Sequence, residues 1–217
     1  MIGGGDRQDV AVVVWGQLTL DPNTAHRKLS LSEGNRKVTD TWAREEQPYP
    51  DHPERFEHEP QVVCRESVCE RWYWEAEYSE SESRGGWVSI AVTDKGISRK
   101  GEGSDCRFGR NKNSWSLEMV ICFGGIYEIS VFHNEKQTRI PDPPSPYRRA
   151  GVHGGAGRRA CVYRVGVCVD RPAGTLSFYS VSDSDTLTLL HRFHTHFTQH
   201  TPLCAGFRVL GSSVSLC

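Results

Sequence analysis

Apolar and polar side chains alternate over several short stretches of the chain. Between Trp72 and Tyr78 the even-numbered residues are Trp, Trp, Ala and Tyr, whereas Glu75 and Glu77 occupy odd positions. Residues two apart lie on the same face of an extended chain, so this pattern predicts a half-buried antiparallel strand. The same period predicts further strands at 88–92, 127–131, 165–169, 175–181, 187–193, 205–209 and 214–216.

Turn residues separate these stretches, and none of them carries a sustained helical period. A capping-box pattern at Ser30–Glu33 favours at most a short helical turn near the N-terminus, because Gly34 and Asn35 follow at once. Many short strands without intervening helices are typical of an antiparallel sandwich or barrel. The sequence therefore predicts an all-β fold.

The composition supports the same fold class. Val, Ile, Thr and the aromatic residues number 60 of the 217 residues, whereas Ala, Leu and Met number 24. β-branched and aromatic side chains suit a pleated sheet, and Ala, Leu and Met are the better helix formers. A chain of this length can bury a sizeable core within a single domain.

Charge and cysteine spacing exclude several classes of function. Lys and Arg number 26 and Asp and Glu 27, so nucleic-acid binding is not expected. The longest early apolar run, Val10–Trp15, is far shorter than the roughly 20 residues of a membrane span. We therefore expect a cytoplasmic chain without membrane contact. None of the eight cysteines forms a C-x-x-C pair, which favours free thiols over disulfides or zinc sites.

Sequence motifs of catalysis are missing. The chain has neither a phosphate-binding P-loop nor the G-x-Ser-x-G elbow of serine hydrolases. His194 and His196 would share one strand face and are the best metal-ligand candidates, but no carboxylate or cysteine lies at matching spacing, which favours surface histidines. Glu75 and Glu77 would lie side by side on a strand instead of facing each other across a cleft. We expect no catalytic residues, no metal and no cofactor; a metal-dependent or hydrolytic enzyme is the least favoured alternative.

Three short motifs occur in the order that defines a known family. Leu20-Asp21-Pro22, the strand Trp74–Glu77 and the strand Leu176–Tyr179 resemble the three signatures of the PRY–SPRY domain. The sequences around these motifs, such as Ser89–Gly101 and Ala173–Val181, are similar to fish versions of the domain. These occur at the C-termini of tripartite-motif ligases, NACHT and leucine-rich-repeat sensors, and stonefish-toxin-like proteins. The signature residues, expected to be structural, are Leu20, Asp21, Pro22, Trp74, Glu75, Glu77, Trp115, Leu176, Phe178 and Tyr179.

The resemblance implies a bent antiparallel β-sandwich of the concanavalin-like jelly-roll type, covering residues 18–217. The PRY part would span about 18–63 and the SPRY part about 64–217, leaving residues 1–17 unassigned. It implies a non-enzymatic module that binds a partner protein through variable loops at one end of the sandwich, in cytosolic innate immunity. The sequence identifies neither the partner nor the oligomeric state.

The chain departs from the family pattern at several positions. Ala76 stands where Val is usual, Arg208 where Trp is usual and Cys204 where Tyr is usual. Residues 146–163 form a basic, Gly- and Arg-rich insertion in what is normally a short connection. A surface insertion is favoured there over a contact loop, because loops accept extra residues at little entropic cost.

Candidate partner-binding residues are taken from the expected loops, because interface energy concentrates in a few aromatic and arginine anchors. An alternative to protein recognition is a sensor pocket for a small anionic, phosphorylated ligand, for which Arg107, Arg110 and His133 would supply the charge. The complete set of candidates is Trp42, Arg44, Glu80, Glu82, Arg84, Arg107, Arg110, Lys112, His133, Glu135 and Lys136.

Overall fold

A computed structural model describes residues 14–40, 46–80, 86–122, 125–141, 147–148, 161–197 and 201–217. Over these residues the chain forms fifteen strands in two sheets and one 3-10 turn, Ser104–Cys106. Apart from the parallel pairing of the first strand, neighbouring strands are antiparallel. The predicted all-β fold is confirmed.

Sheet I has nine strands among the described residues. Seven follow the order β13-β12-β11-β5-β15-β3-β2, while β1 pairs with β5 and β10 with β11. Their bounds are β1 Val14–Trp15, β2 Ser30–Ser32, β3 Lys37–Thr39, β5 Arg71–Glu80, β10 Tyr147–Arg148, β11 Cys161–Asp170, β12 Thr175–Val181, β13 Leu187–His194 and β15 Ser212–Leu216.

Sheet II has six strands in the order β4-β14-β6-β7-β8-β9. Their bounds are β4 Gln61–Val63, β6 Gly86–Asp94, β7 Ser114–Cys122, β8 Gly125–His133, β9 Lys136–Arg139 and β14 Leu203–Leu210. The early strand β4 pairs with the late strand β14, and β2 and β3 join sheet I through β15. The N-terminal third of the chain therefore completes both sheets instead of forming a unit of its own.

The hydrophobic core lies between the two sheets. Trp74, Ala76 and Tyr78 of β5 are buried in it, as the alternation predicted, and Ile90 and Leu117 of sheet II face them from the other side. Burial of each large side chain contributes roughly 1.5–3 kcal/mol. Leu20 and Leu29 belong to the same cluster, so the early and late parts of the chain share one core.

The N-terminal helical turn favoured by the capping-box pattern is not formed. Ser30–Ser32 is strand β2, and the chain reverses into β3 through Glu33, Gly34 and Asn35, whose φ angles are +54°, +66° and +63°. Successive left-handed residues cannot continue a right-handed helix. The tight reversal therefore makes a hairpin where a helical turn was expected.

Register defines the two ends of the sandwich. At the end called here the Gly86 end, Glu80 pairs with Ser212, Trp87 with Leu210 and Gly86 with Ile121. At the opposite end, the Asp94 end, Asp94 pairs with Leu203 and Arg71 with Asp170.

Candidate protein-interaction surface

The segment between β6 and β7 folds over the outer face of sheet II. Phe108 and Ile97 pack there in a small second core with Phe56, Val63 and Ala91. Gly206 permits this approach, because a Cβ at that position would lie 2.7 Å from the Phe108 ring. The segment is thereby fixed against the sheet and carries its arginines to defined positions.

Gln61 fastens the same segment by two hydrogen bonds. Its Nε2 donates to the Cys106 carbonyl at 2.8 Å, and its Oε1 accepts from the Phe108 amide at 3.0 Å. Both bonds are buried, so their loss would leave buried polar groups unpaired. Arg107 and Arg110 follow directly on this anchored turn.

Trp87, at the start of β6, lies beside two guanidinium groups on the outer face of sheet II. The Arg107 and Arg208 Cζ atoms are 5.7 and 5.1 Å from its ring centroid. Both arginines also approach Glu59 Oε2, through Arg107 Nε at 4.0 Å and Arg208 Nε at 2.7 Å. Trp87 is half-buried, and its position is fixed by charged side chains that are themselves paired.

Arg110 forms a second ion pair beside this one. Its Nη2 lies 3.1 Å from Glu118 Oε2, and its guanidinium stacks 3.6 Å from the Phe132 ring centroid. Glu118 is only 2% exposed. Burial raises the pKa of its carboxyl group, and the Coulombic attraction of Arg110 opposes that rise. We call Glu59, Trp87, Arg107, Arg110, Glu118 and Arg208 the Trp87 cluster.

Several of the predicted binding residues lie outside the described residues, namely Trp42, Arg44, Glu82 and Arg84. The described residues that flank them meet at the Gly86 end: Asp40 Oδ2 accepts a hydrogen bond from the Gly211 amide at 3.0 Å. Glu80 is the last residue of β5 and pairs with Ser212. Asp40, before the first candidate loop, and Glu80 and Gly86, on either side of the second, are therefore at the same end as Trp87.

The remaining predicted residues lie at the Asp94 end. His133 stacks on Trp115 with ring centroids 4.7 Å apart, and its Nδ1 is 2.9 Å from the Ser114 carbonyl oxygen. Glu135 accepts a hydrogen bond from Ser104 Oγ at 2.7 Å, while Lys112 and Lys136 are exposed. The predicted set is thus divided between two places, and His133 makes packing contacts instead of presenting a free ring.

The signature residues lie in the framework of the two sheets. Leu20 is buried and bridges to Cys64, and Asp21 Oδ1 accepts from the Asn23 amide in the turn that contains Pro22. Glu75 accepts from Tyr73 OH at 2.8 Å and pairs with Arg164 at 3.2 Å. The remaining buried signature residues are Trp74, Trp115, Leu176, Phe178 and Tyr179. Glu77 is half-buried in β5.

Sequence reasoning missed three members of the Trp87 cluster, Glu59, Trp87 and Glu118. A usable signal existed for Glu118: a charged residue at an alternate position of an otherwise apolar strand marks the outer face of a sheet. Arg208 carries the same signal in β14 and was noted only as a departure from the family pattern. Contact among residues 59, 87, 107, 118 and 208 depends on the topology, which short motifs do not report.

A cleft with a volume of about 1060 Å³ lies at the Asp94 end. His194 and His196 line it, together with Cys69, Glu70 and Arg171. Within the described ranges, no three His, Cys, Asp or Glu side chains are grouped so that they could hold one metal ion. The described part of the chain also contains no helix long and apolar enough to cross a membrane.

Two family models match the chain over this fold. The model of the SPRY-associated domain, PRY, matches residues 18–68, and that of the SPRY domain matches residues 71–214. The chain belongs to the PRY–SPRY family. SPRY domains are generally protein-interaction modules, and the family is typically non-enzymatic.

The relatives of this PRY–SPRY domain are longer proteins. Stonustoxin subunit beta of Synanceia horrida is 39% identical over 183 residues, 84% of this chain and 22% of that protein. Tripartite motif-containing protein 16 of Mus musculus is 39% identical over 193 residues, 88% of this chain and 29% of that protein. The chain therefore spans less than a third of either relative.

Solved structures share the fold along the whole chain. The crystal structure of the TRIM65 PSpry domain superposes with a TM-score of 0.70 at 25% identity, covering 100% of this chain and 98% of that one. The stonustoxin structure has a TM-score of 0.70 at 35% identity, covering 98% of this chain and 28% of that one.

Proposed function

We propose that this PRY–SPRY domain is a non-enzymatic recognition module that binds a partner protein at the Gly86 end, with Trp87 at the centre of the contact. The observation that carries the proposal is the half-buried Trp87 ring with the guanidinium groups of Arg107 and Arg208 at 5.7 and 5.1 Å from its centroid. Trp and Arg are the residue types that dominate interface energy when they are held in a well-packed setting.

Preorganisation strengthens this assignment. Before any partner arrives, Arg208 is hydrogen-bonded to Glu59 at 2.7 Å and Arg107 lies 4.0 Å from the same carboxylate oxygen, so fewer rotamers are lost on binding. Asp40, which precedes the 41–45 segment, and both flanks of the 81–85 segment lie at the same end. The loop residues Trp42 and Arg84, together with Glu80 at the end of β5, are therefore proposed to extend the contact around a rigid centre.

The proposed setting is cytosolic innate immunity, in agreement with the resemblance to tripartite-motif proteins. Similarity to tripartite motif-containing protein 16 supports it. The toxin relatives carry the same kind of domain within another class of protein. Both classes are compatible with recognition as the role of the domain itself.

Affinity capture tests the proposal. The wild-type domain, Arg107→Ala and Trp87→Ala are used as baits in fish cell lysate, and bound proteins are quantified by mass spectrometry. Arg71→Ala serves as the control, because Arg71 is a partly exposed arginine at the other end of the molecule. We expect a discrete protein that the wild type and Arg71→Ala retain and that both cluster variants lose. Equal recovery by all four baits, with each domain folded, contradicts the proposal.

The alternative of a pocket for a small anionic ligand has one supporting observation. Arg107 Nε, Arg110 Nε and Arg208 Nη1 are buried without a hydrogen-bond acceptor among the described residues. Glu59 and Glu118 already balance much of this positive charge, however, and a phosphate would compete with both carboxylates. Calorimetric titration with pyrophosphate separates the two functions: salt-sensitive heats that Arg107→Ala abolishes support the pocket, and their absence supports protein recognition.

A further inference from the structure

Sheet I carries, on its terminal strand β13, an arginine that has no carboxylate partner among the described residues. Arg192 donates from Nε to Ser177 Oγ at 2.9 Å and from Nη2 to Tyr179 OH at 3.2 Å. Both acceptors are neutral hydroxyl groups. None of the ion pairs within the described ranges includes Arg192, and the residue is exposed. The guanidinium is therefore held in a fixed position while its charge remains unbalanced.

Other arginines of sheet I have carboxylate partners. Arg164 lies 3.2 Å from Glu75 Oε2 and 2.6 Å from Asp185 Oδ1, and Arg71 lies 3.1 Å from Asp170 Oδ2. Between Leu187 and Phe197 the sequence contains Arg192 and three histidines but no Asp or Glu. The second half of β13 therefore has only basic ionisable side chains.

The same strand exposes apolar surface and an open sheet edge. Leu189 is 42% exposed, and Leu187 beside it is half-buried. These leucines pair in register with Tyr179 and Val181 of β12. Among the described residues β13 ends the strand order of sheet I, and no described strand pairs with its outer main-chain groups, so they can accept an added strand.

We infer that β13 is a second docking edge, which takes an extended peptide segment of a partner protein as an added strand. Aliphatic side chains of the segment pack beside Leu187 and Leu189, and an Asp or Glu carboxylate pairs with Arg192. Main-chain hydrogen bonds to a sheet edge supply affinity in this mode, and alternate side chains supply specificity. The edge belongs to sheet I and the Trp87 cluster to sheet II, so this inference is independent of the proposed function.

Titration of the ¹⁵N-labelled domain with a synthetic peptide tests the inference. The probe is an acetylated, amidated hexapeptide of alternating Val and Glu, and the control peptide has Lys in place of Glu. We expect amide shifts along β12 and β13 with the Glu peptide, weakened by added salt, and none with the Lys peptide. Shifts confined to the Trp87 cluster, or no shifts at all, would overturn the inference.

Substitutions make the test specific for Arg192. Arg192→Gln should weaken binding of the Glu peptide by about tenfold, the loss typical of a hydrogen-bonded charge pair. Arg192→Glu should bind the Lys peptide instead. Arg139→Gln, an exposed arginine on the edge strand of sheet II, is the control and should bind like the wild type. Unchanged affinity of Arg192→Gln would show that the charge plays no part.

A further variant keeps the inference testable if Arg192→Gln does not fold. If Arg192→Gln loses its dispersed amide spectrum, Leu189→Lys tests the same edge through an exposed side chain, and it should also weaken the Glu peptide. Shifts that depend on protein concentration without peptide would show that a second copy of the chain occupies β13. That result would contradict the occupant assigned here.

Discussion

Glu118 and Arg110 form a pair in which each residue depends on the other. Glu118 is 2% exposed, and Arg110 is its partner at 3.1 Å. Arg110→Ala should lower the free energy of unfolding by roughly 3 kcal/mol, because the buried Glu118 carboxylate loses its ion-pair partner and keeps only the more distant attraction of Arg107 and Arg208. Urea unfolding measures this loss, with Lys112→Ala, an exposed residue nearby, as a control expected to stay within about 0.5 kcal/mol of wild type.

The double variant Arg110→Ala/Glu118→Gln checks the reason for that loss. Removing the charge together with its partner should recover part of the stability that Arg110→Ala loses. If the losses in the free energy of unfolding from the two single substitutions simply add in the double variant, loss of the ion pair is not the reason that Arg110→Ala is destabilised.

His26 gives the stability a pH dependence of known sign. Its Nδ1 accepts from the Lys28 amide at 3.1 Å, so the proton lies on Nε2, which contacts the Glu57 carbonyl oxygen at 3.1 Å. Burial lowers the pKa of His26 below 6.5. Between the lowered pKa and 6.5 the unfolded chain binds more protons than the folded chain, so stability is lost as the pH falls through this window.

The measurement is the free energy of unfolding between pH 7.5 and 5. Because protonation of Nδ1 would break the Lys28 hydrogen bond, His26→Gln should flatten the slope below pH 6.5. His196→Gln, the same substitution at an exposed position, is the control and should keep the slope of the wild type. A slope in His26→Gln as steep as in the wild type would contradict this assignment.

The cysteines should differ in reactivity according to burial. Six of the eight cysteines are free in the structure, namely Cys64, Cys69, Cys106, Cys168, Cys204 and Cys217; Cys64 and Cys204 are buried and Cys69 is exposed. Burial raises the pKa of the Cys204 thiol to about 12, and that of Cys64 also rises well above its usual value. Since the thiolate is the reactive form, iodoacetamide at pH 8 should modify Cys69 first and leave Cys64 and Cys204 intact. Peptide mass spectrometry showing Cys204 modified as fast as Cys69 would contradict the buried assignment.

At the scale of elements, alternation predicted the strands well where pairing is regular. β5 follows the pattern from Trp72 to Tyr78, and β11 follows it from Val165 to Val169. Tyr127 does not: the pattern places it with Ile129 and Val131 on the core face, but it is 67% exposed. The register between β7 and β8 shifts at Val120/Ile121, and a bulge of this kind displaces one residue from the alternation.

The candidate site was less predictable than the sheets. Arg107 and Arg110 were selected because they lie between two strands, and the structure places both in the Trp87 cluster. The partners that hold them, Glu59 and Glu118, come from distant segments. A period of two reports which face a residue occupies but not which distant residue lies beside it. The family resemblance predicted the β-sandwich fold. The contacts of the Trp87 cluster could be identified only from the three-dimensional structure.

The contact between β5 and β11 allows a test of sheet I. Gly166 of β11 lies beneath the Tyr73 side chain, and a Cβ at position 166 would be 2.3 Å from Tyr73 Oη. Gly166→Ala should destabilise the fold by about 1–3 kcal/mol, because a well-packed site cannot accept the methyl group. Calorimetry should show a Tm lower by several degrees. Gly103→Ala, where no heavy atom lies within 4 Å of the added Cβ, is the control; an equal drop in both variants would exclude steric crowding as the cause.

At the scale of the whole molecule, the PRY and SPRY segments form one body with two different outer faces. β4 pairs with β14, and Leu20 and Leu29 share the core with the later strands. Sheet II presents the Trp87 cluster, in which carboxylates hold the arginines. Sheet I presents Arg192, which has no carboxylate partner in the described part of the chain, on the strand that ends the described sheet. Different partner chemistries are therefore expected on the two faces.

Site-specific photocrosslinking at Val120 tests the proposed recognition surface most directly. Val120 is half-buried and pairs with Trp87 in register, so a photoreactive benzoylphenylalanine there would lie beside any partner bound at the Gly86 end. In cell extract we expect a discrete crosslinked adduct from position 120, lost when Arg107→Ala is added, and none from the same probe at position 71. Adducts that form only at position 71, or that persist unchanged in Arg107→Ala, would contradict partner recognition through the Trp87 cluster.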